Sequence, residues 1–195
     1  MIFVLLLLIT SALSNVALGQ ANPELQNYSW DFSVWAAGAT GEEVTNSFSE
    51  AQLFTAGVSV GHALSGEMGS GWRRGHLEYS ADFVPVFVQF APQKITGTAF
   101  DPILLRWNSS VHHGRLSPFV ELGGGGVHTH SDFPQGDTST FNFMARAGGG
   151  VVITTRRAQA LEIACRWLHI SNANLGAQNP EFNGIQLSLG WHWFK

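Results

Sequence analysis

The sequence predicts an all-β protein, an eight-stranded antiparallel up-and-down transmembrane β-barrel. Three observations point there. Apolar residues recur with period two, the spacing of one face of a strand, and helical periodicity is scarce. Only 12% of the 195 residues are charged, while 45% are hydrophobic, among them 7 tryptophans, and there are 22 glycines. That charged fraction is about half the roughly 25% of ordinary soluble domains. The charges that lie within strands gather on one face, and they are of both signs.

Composition excludes several classes. A net charge of −4 with scattered Lys and Arg forms no basic stripe, so no nucleic-acid partner is expected. The single cysteine, Cys165, cannot make an internal disulfide or a thiolate zinc cluster. The aromatic content is too high for a disordered chain.

The first segment reads as a leader. Residues Ile2 to Leu8 are uninterrupted apolar and lead to Ala17-Leu18-Gly19, a small-x-small cleavage site before Gln20. Ser11, Ser14 and Asn15 break the run short of the roughly 20 apolar residues a spanning helix needs. Residues 1–19 are therefore expected to be a signal peptide and 20–195 one barrel domain.

The strands are expected near 29–39, 51–64, 73–89, 100–110, 115–127, 139–154, 157–171 and 183–194. In the first, Trp30, Phe32 and Val34 oppose Asp31 and Ser33. The second is bounded by Gly41 and the Ser65-Gly66 to Gly71 run. In the third, Leu77, Tyr79, Ala81 and Phe83 oppose Glu78 and Asp82, and Pro92 to Gly97 marks the turn that follows. The fourth sets Ile103, Leu105 and Trp107 against Arg106 and ends at His113-Gly114. The fifth carries Glu121 and the run Gly123 to Gly126, and Pro134 to Asp137 closes it. In the sixth, Phe141, Phe143 and Ala145 oppose Asn142 and Arg146, before the turn Arg156-Arg157. The seventh places Leu161, Ile163, Cys165 and Trp167 opposite Glu162 and Arg166, and Gln178 to Pro180 follows it. In the last, Ile185, Leu187, Leu189, Trp191 and Trp193 oppose Gln186, Ser188, Gly190 and His192.

Two barrels fit one greasy face and one charged face. A soluble, lipid-binding barrel of lipocalin type turns the greasy face inward, and an outer-membrane barrel turns it to lipid. A soluble barrel needs Lys or Glu at most outward positions. Here the polar face carries about one charge per strand among Gly, Ser and Ala, with acids and arginines nearly balanced, as a narrow side-chain-filled interior requires. Trp30, Trp72, Trp107, Trp167, Trp191 and Trp193 suit the interfacial girdles of such a barrel, and eight is an allowed even strand number. The membrane reading is the one adopted. A non-enzymatic outer-membrane barrel of structural or adhesion type is the alternative within it.

One constellation suggests chemistry: Arg166-Trp167-Leu168-His169-Ile170-Ser171-Asn172-Ala173-Asn174, at the end of the seventh strand. Residues two apart in a strand share a face, about 7 Å apart at the backbone. His169 and Ser171 are thus neighbours, and an imidazole beside a hydroxyl is the minimum for an activated oxygen nucleophile. The pair continues the outward series of Leu161 to Trp167, so its substrate would lie in the membrane, and a lipid ester is the natural candidate. Asn172 adds an amide donor for a developing oxyanion.

His169-x-Ser171-Asn172-Ala173, followed by Asn179-Pro180 and a final strand, resembles the lipid A 3-O-deacylases of Gram-negative outer membranes. The resemblance implies an eight-stranded barrel with its site on the outer wall, hydrolysing the ester of the 3-O acyl chain of lipid A without metal or organic cofactor. Lipid A, or lipopolysaccharide in the outer leaflet, is the implied partner. Carried over by position, Ser171 is the nucleophile and His169 the general base. Asn172 and the backbone near Asn174, where the family often has glycine, form the oxyanion hole. The family's third member is a glutamate at the start of the final strand. There Asn183-Gly184-Ile185-Gln186 offers Gln186, and Glu181 in the preceding loop is the other candidate.

The remaining features read plainly. Gly123 to Gly126 lacks the strand–loop–helix setting and GK[ST] of a phosphate loop and relieves crowding in, or curves, a barrel strand. His128 and His130 have no recognisable third ligand, and His112-His113 falls in a turn. Cys165 is a small apolar residue on the outward face.

Overall fold

The computed structural model describes residues 28–44, 47, 51–111, 115–134 and 139–195. The expected leader and the His112-His113 turn lie outside these residues. The eight strands are β1 Trp30–Gly41, β2 Gln52–Ala63, β3 Gly75–Ala91, β4 Ile95–Ser109, β5 Leu116–Thr129, β6 Phe141–Arg156, β7 Gln159–Ser171 and β8 Phe182–Phe194. Each pairs antiparallel with the next, and β1 closes on β8, giving a barrel in sequence order. An even strand count brings both ends of the sheet together: Trp30 N–H donates to Lys195 O at 2.9 Å. The ends of β7 and the start of β8 lie at the opposite rim.

The period-two pattern becomes the barrel wall. Phe32, Val34, Phe83, Ile103, Leu122, Leu187 and Leu189 face outward and exposed. Asp31, Glu78, Asp82, Arg106, Glu121, Arg146, Glu162, Arg166, Gln186, Ser188 and His192 are buried inside. A lipocalin-type barrel would have the reverse arrangement. An outward cation at mid-barrel, where Leu187 faces Cys165 across the ladder, should be expensive. Leu187→Arg is expected to cost about 2–4 kcal/mol, against less than about 1 kcal/mol for Trp193→Arg near the rim. The urea midpoint of the heat-modifiable folded band in detergent checks both.

The interior is layered along the axis. At the rim bearing the end of β7, Leu53, Phe87, Ile95, Val127, Phe133, Met144, Leu168, Ile170 and Phe182 form an apolar plug. Below it Arg146 pairs with Asp82 and lies 3.4 Å from Asp101. Deeper still, Glu121 accepts two hydrogen bonds from Arg106, at 2.9 and 2.7 Å, and another from Arg166. Glu162 accepts from Arg106 and Arg166 at 2.8 Å each, and from His192 at 3.2 Å. His192 Nδ1 lies 2.7 Å from Asp31. Charges taken out of water persist when they are paired in this way.

Two strand-breaking residues mark irregularities. Pro85 and Pro102 sit where the register shifts, between Val84 and Phe87 and between Phe100 and Ile103, so no ladder bond is lost to them. β4 begins at Ile95, inside the segment expected to be a turn. Gly97 lies within this strand, where a Cβ would be 2.3 Å from His128 O, a reason for glycine unrelated to turning. In the glycine run, a Cβ on Gly125 would come within 2.0 Å of Phe100 O, so close strand packing accounts for that glycine.

Candidate active site

Strand alternation and the apolar plug together set the site. Leu168 and Ile170 point into the plug, so His169 and Ser171 point outward at the rim. On the neighbouring strands Ala145 of β6 and Asn183 of β8 stand opposite His169, and Phe143 stands opposite Ser171. The small Ala145 leaves the imidazole room. Trp167 stacks on it, with ring centroids 5.5 Å apart and planes 16° apart.

His169 Nε2 lies 3.1 Å from Ser171 Oγ. On the far side of the ring, Nδ1 lies 2.8 Å from Asn183 Oδ1. Asn183 Nδ2 in turn donates to Glu181 Oε2 at 3.3 Å. Ser47 adjoins this edge: Asn183 N–H donates to Ser47 Oγ at 3.1 Å, and Ser47 forms a parallel bridge with Glu181. Ser171 and Asn183 are buried although they belong to the outer wall.

The two candidates for a third member thus separate. Gln186 faces the barrel interior opposite Arg166, where its Nε2 donates to Thr55 Oγ1 at 3.3 Å. A side chain on the inner face cannot meet an outward imidazole through the wall. Glu181 is linked to the histidine through Asn183. Asn183 is the residue that sequence reasoning missed. The signal for it was parity, since Gln186 shares its face with Ser188 and His192, whereas Asn183 shares the outward face of Ile185.

Asn172 is 1% exposed and anchors the β7–β8 loop. Its Nδ2 donates to Gln178 O at 2.7 Å, and its backbone N–H donates to Asn179 Oδ1 at 2.9 Å. Leu175 N–H returns to Asn172 O at 3.0 Å, closing a tight turn whose central residues, Ala173 and Asn174, both have positive φ, 52° and 62°. Such a turn resembles type I′, which favours Gly and Asn at its centre. Ala173 therefore holds a conformation that costs an alanine about 1 kcal/mol or more, one residue beyond Asn172. Strain of this kind persists where the surroundings hold it, here the two side-chain anchors of Asn172 and Asn179. Asn174 is exposed at the second central position.

Among the described residues no three His, Cys, Asp or Glu side chains come together as a metal site. His130 is engaged with Thr96, whose N–H donates to its Nδ1 at 3.0 Å.

The family model for lipid A 3-O-deacylase (PagL) matches residues 28–192. The chain belongs to the lipid A 3-O-deacylase family. Its barrel is similar to the crystal structure of the outer membrane enzyme PagL, with a TM-score of 0.60 and 18% sequence identity, covering 81% of this chain and 97% of that one. Two other barrels share the architecture. The N-terminal β-barrel domain of Pseudomonas aeruginosa OprF has a TM-score of 0.50 and 13% identity, covering 84% of this chain and 97% of that one. The outer membrane protein OprG from Pseudomonas aeruginosa has a TM-score of 0.52 and 10% identity, covering 91% and 98%. At these identities the structural likenesses speak to fold alone. No curated protein matches the chain significantly. The family and the lipid-facing barrel together assign the lipid A deacylase family member to the outer membrane.

Proposed function

We propose that the protein is an esterase that removes the 3-O acyl chain of lipid A by a Ser–His mechanism on the outer wall of the barrel. The carrying observation is the chain of contacts Ser171 Oγ, His169 Nε2, His169 Nδ1, Asn183 Oδ1, at 3.1 and 2.8 Å. Nδ1–H donates to Asn183, which leaves the Nε2 lone pair to accept the Ser171 proton as Oγ attacks the ester carbonyl. The tetrahedral oxyanion collapses with loss of the sugar alkoxide, which takes the proton from His169. The resulting acyl-serine is hydrolysed by a water that His169 deprotonates, and the fatty acid leaves. An amide in the third position orients the imidazole without adding a negative charge, as in Cys-His-Asn hydrolases.

The oxyanion falls to the Asn172 amide and the N–H near Asn174, as the family resemblance implies. Asn172 Nδ2 gives one hydrogen to Gln178 O, and an amide carries a second that can be donated.

Position supports a lipid substrate. Exposed Phe141, Phe143, Trp167 and Ile185 surround the pair with apolar surface on which an acyl chain can lie. The two-residue turn Arg157-Ala158 lies at the end that carries Trp30 and Lys195, as short periplasmic turns do. The site is then at the extracellular rim, beside the leaflet that holds lipopolysaccharide. Residues 1–19 serve this placement as an export signal.

Mass spectrometry of lipid A from cells expressing the protein tests the reading. Wild type should lower the lipid A mass by one acyl chain, and Ser171→Ala should not. An unchanged mass with wild type, or equal loss with Ser171→Ala, rejects it.

A further inference from the structure

Glu181 hydrogen-bonds to Asn183, the amide that stands between it and the histidine. A carboxylate only accepts hydrogen bonds, so it takes the NH2 end of Asn183, at 3.3 Å. That leaves Asn183 Oδ1, also only an acceptor, facing His169 Nδ1 at 2.8 Å. Nδ1 must then carry the proton, and Nε2 presents its lone pair to Ser171 Oγ at 3.1 Å. With the amide turned round, the NH2 would face Nδ1, the proton would move to Nε2, and Nε2 could no longer accept from the serine.

Contacts of Ser47 and Phe182 keep Glu181 in place. Ser47 pairs with it in a parallel bridge and also receives the Asn183 N–H, so Ser47 holds the backbone on both sides of Phe182. Phe182 itself is fully buried in the apolar plug. Besides Ser171, the side chains facing His169 are Trp167, Ala145 and Ile185, which carry no acceptor oxygen, and the β1 neighbour Glu42 meets Asn183 through its backbone, its N–H donating to Asn183 O at 2.7 Å.

We propose that Glu181 is a positioning residue, acting through Asn183 to select the His169 tautomer that can activate Ser171. The proposal rests on the esterase reading above and assigns to two residues the orienting role that a single glutamate has in the family. Glutamine at 181 keeps size and shape but can either donate or accept, so it no longer dictates the Asn183 amide.

Two measurements test it. In the first, release of fatty acid from lipopolysaccharide is followed for wild type, Glu181→Gln, Asn183→Glu and the double variant, all compared at equal folded fraction. Glu181→Gln is expected to lower kcat on the order of tenfold with KM unchanged. Once Asn183→Glu supplies a carboxylate directly to Nδ1, the same change at 181 is expected to cost less than twofold. No loss of kcat, or equal loss in both backgrounds, overturns the relay. In the second, ring 15N shifts of histidine-labelled protein in micelles, assigned with His169→Gln, report the tautomer without reference to turnover. The Nδ1–H form is expected in wild type, with a shift toward Nε2–H in Glu181→Gln. Identical shifts in the two proteins overturn the proposal even where acyl release is normal. Loss of acyl release in wild type, with the tautomer shift intact, rejects the esterase reading and leaves the positioning role standing.

Discussion

Replacing His169 with glutamine is expected to lower kcat for acyl release on the order of 10⁴-fold, Ser171→Ala by at least as much, and the two together no more than the worse of the pair. The reason is that the groups act as one unit. Without Nε2 as acceptor, the Ser171 hydroxyl is a weak nucleophile, and without the hydroxyl the imidazole has nothing to activate except water. What survives in every variant is binding of the acyl chain along Phe143 and Trp167 and stabilisation of the oxyanion, so residual rates should converge on the same floor. Single-turnover measurements on purified protein, each variant checked for the heat-modifiable folded band, decide this. Losses that multiply instead would mean that His169 and Ser171 serve separate steps.

Glu121→Ala is expected to destabilise the barrel by about 3–5 kcal/mol. Glu121 is buried and is shared by Arg106 and Arg166, so its removal leaves two interior guanidinium groups with one shared carboxylate, Glu162. Arg106 also lies over the Phe119 ring, 4.1 Å from its centroid, which offsets part of the loss but provides no hydrogen-bond acceptor. The exposed pair Arg74–Glu67 has comparable geometry at 2.7 Å, yet Glu67→Ala should cost less than about 1 kcal/mol because water replaces the lost partner. Urea titrations of the folded band for both variants give the contrast directly. Equal midpoints would show that the interior charges are hydrated rather than mutually paired.

Most of the fold is legible in the sequence because a strand's side-chain period is two. One apolar and one charged face could be separated in six of the strands from residue order alone, and in each the inward set is the set the structure buries. The boundaries move where a glycine or proline has a second meaning. Gly97 reads as a turn but lies within β4, because the approach of His128 O is a property of the neighbouring strand. Within the site, His169 and Ser171 are two apart on one strand, so their adjacency is local and readable. Asn172 is readable as an amide donor, but its anchoring of the loop through Gln178 and Asn179 is not, since loop conformation follows from packing.

The third partner divides along the same line. Parity alone excludes Gln186 from the outward face, and that exclusion was available from the alternation of Gln186, Ser188 and His192. Which outward residue of β8 meets His169 depends on the register of β7 against β8, and one step of two residues would present Glu181 or Ile185 instead. That register is set where the 172–181 connection closes and where Phe182 enters the plug beside Phe133. The sequence by itself determines a barrel turned apolar side out, with a histidine and a serine on its lipid face. Tertiary structure decides that Asn183 meets the histidine, with Glu181 behind it, because cross-strand contacts join residues whose separation along the chain carries no periodic signal.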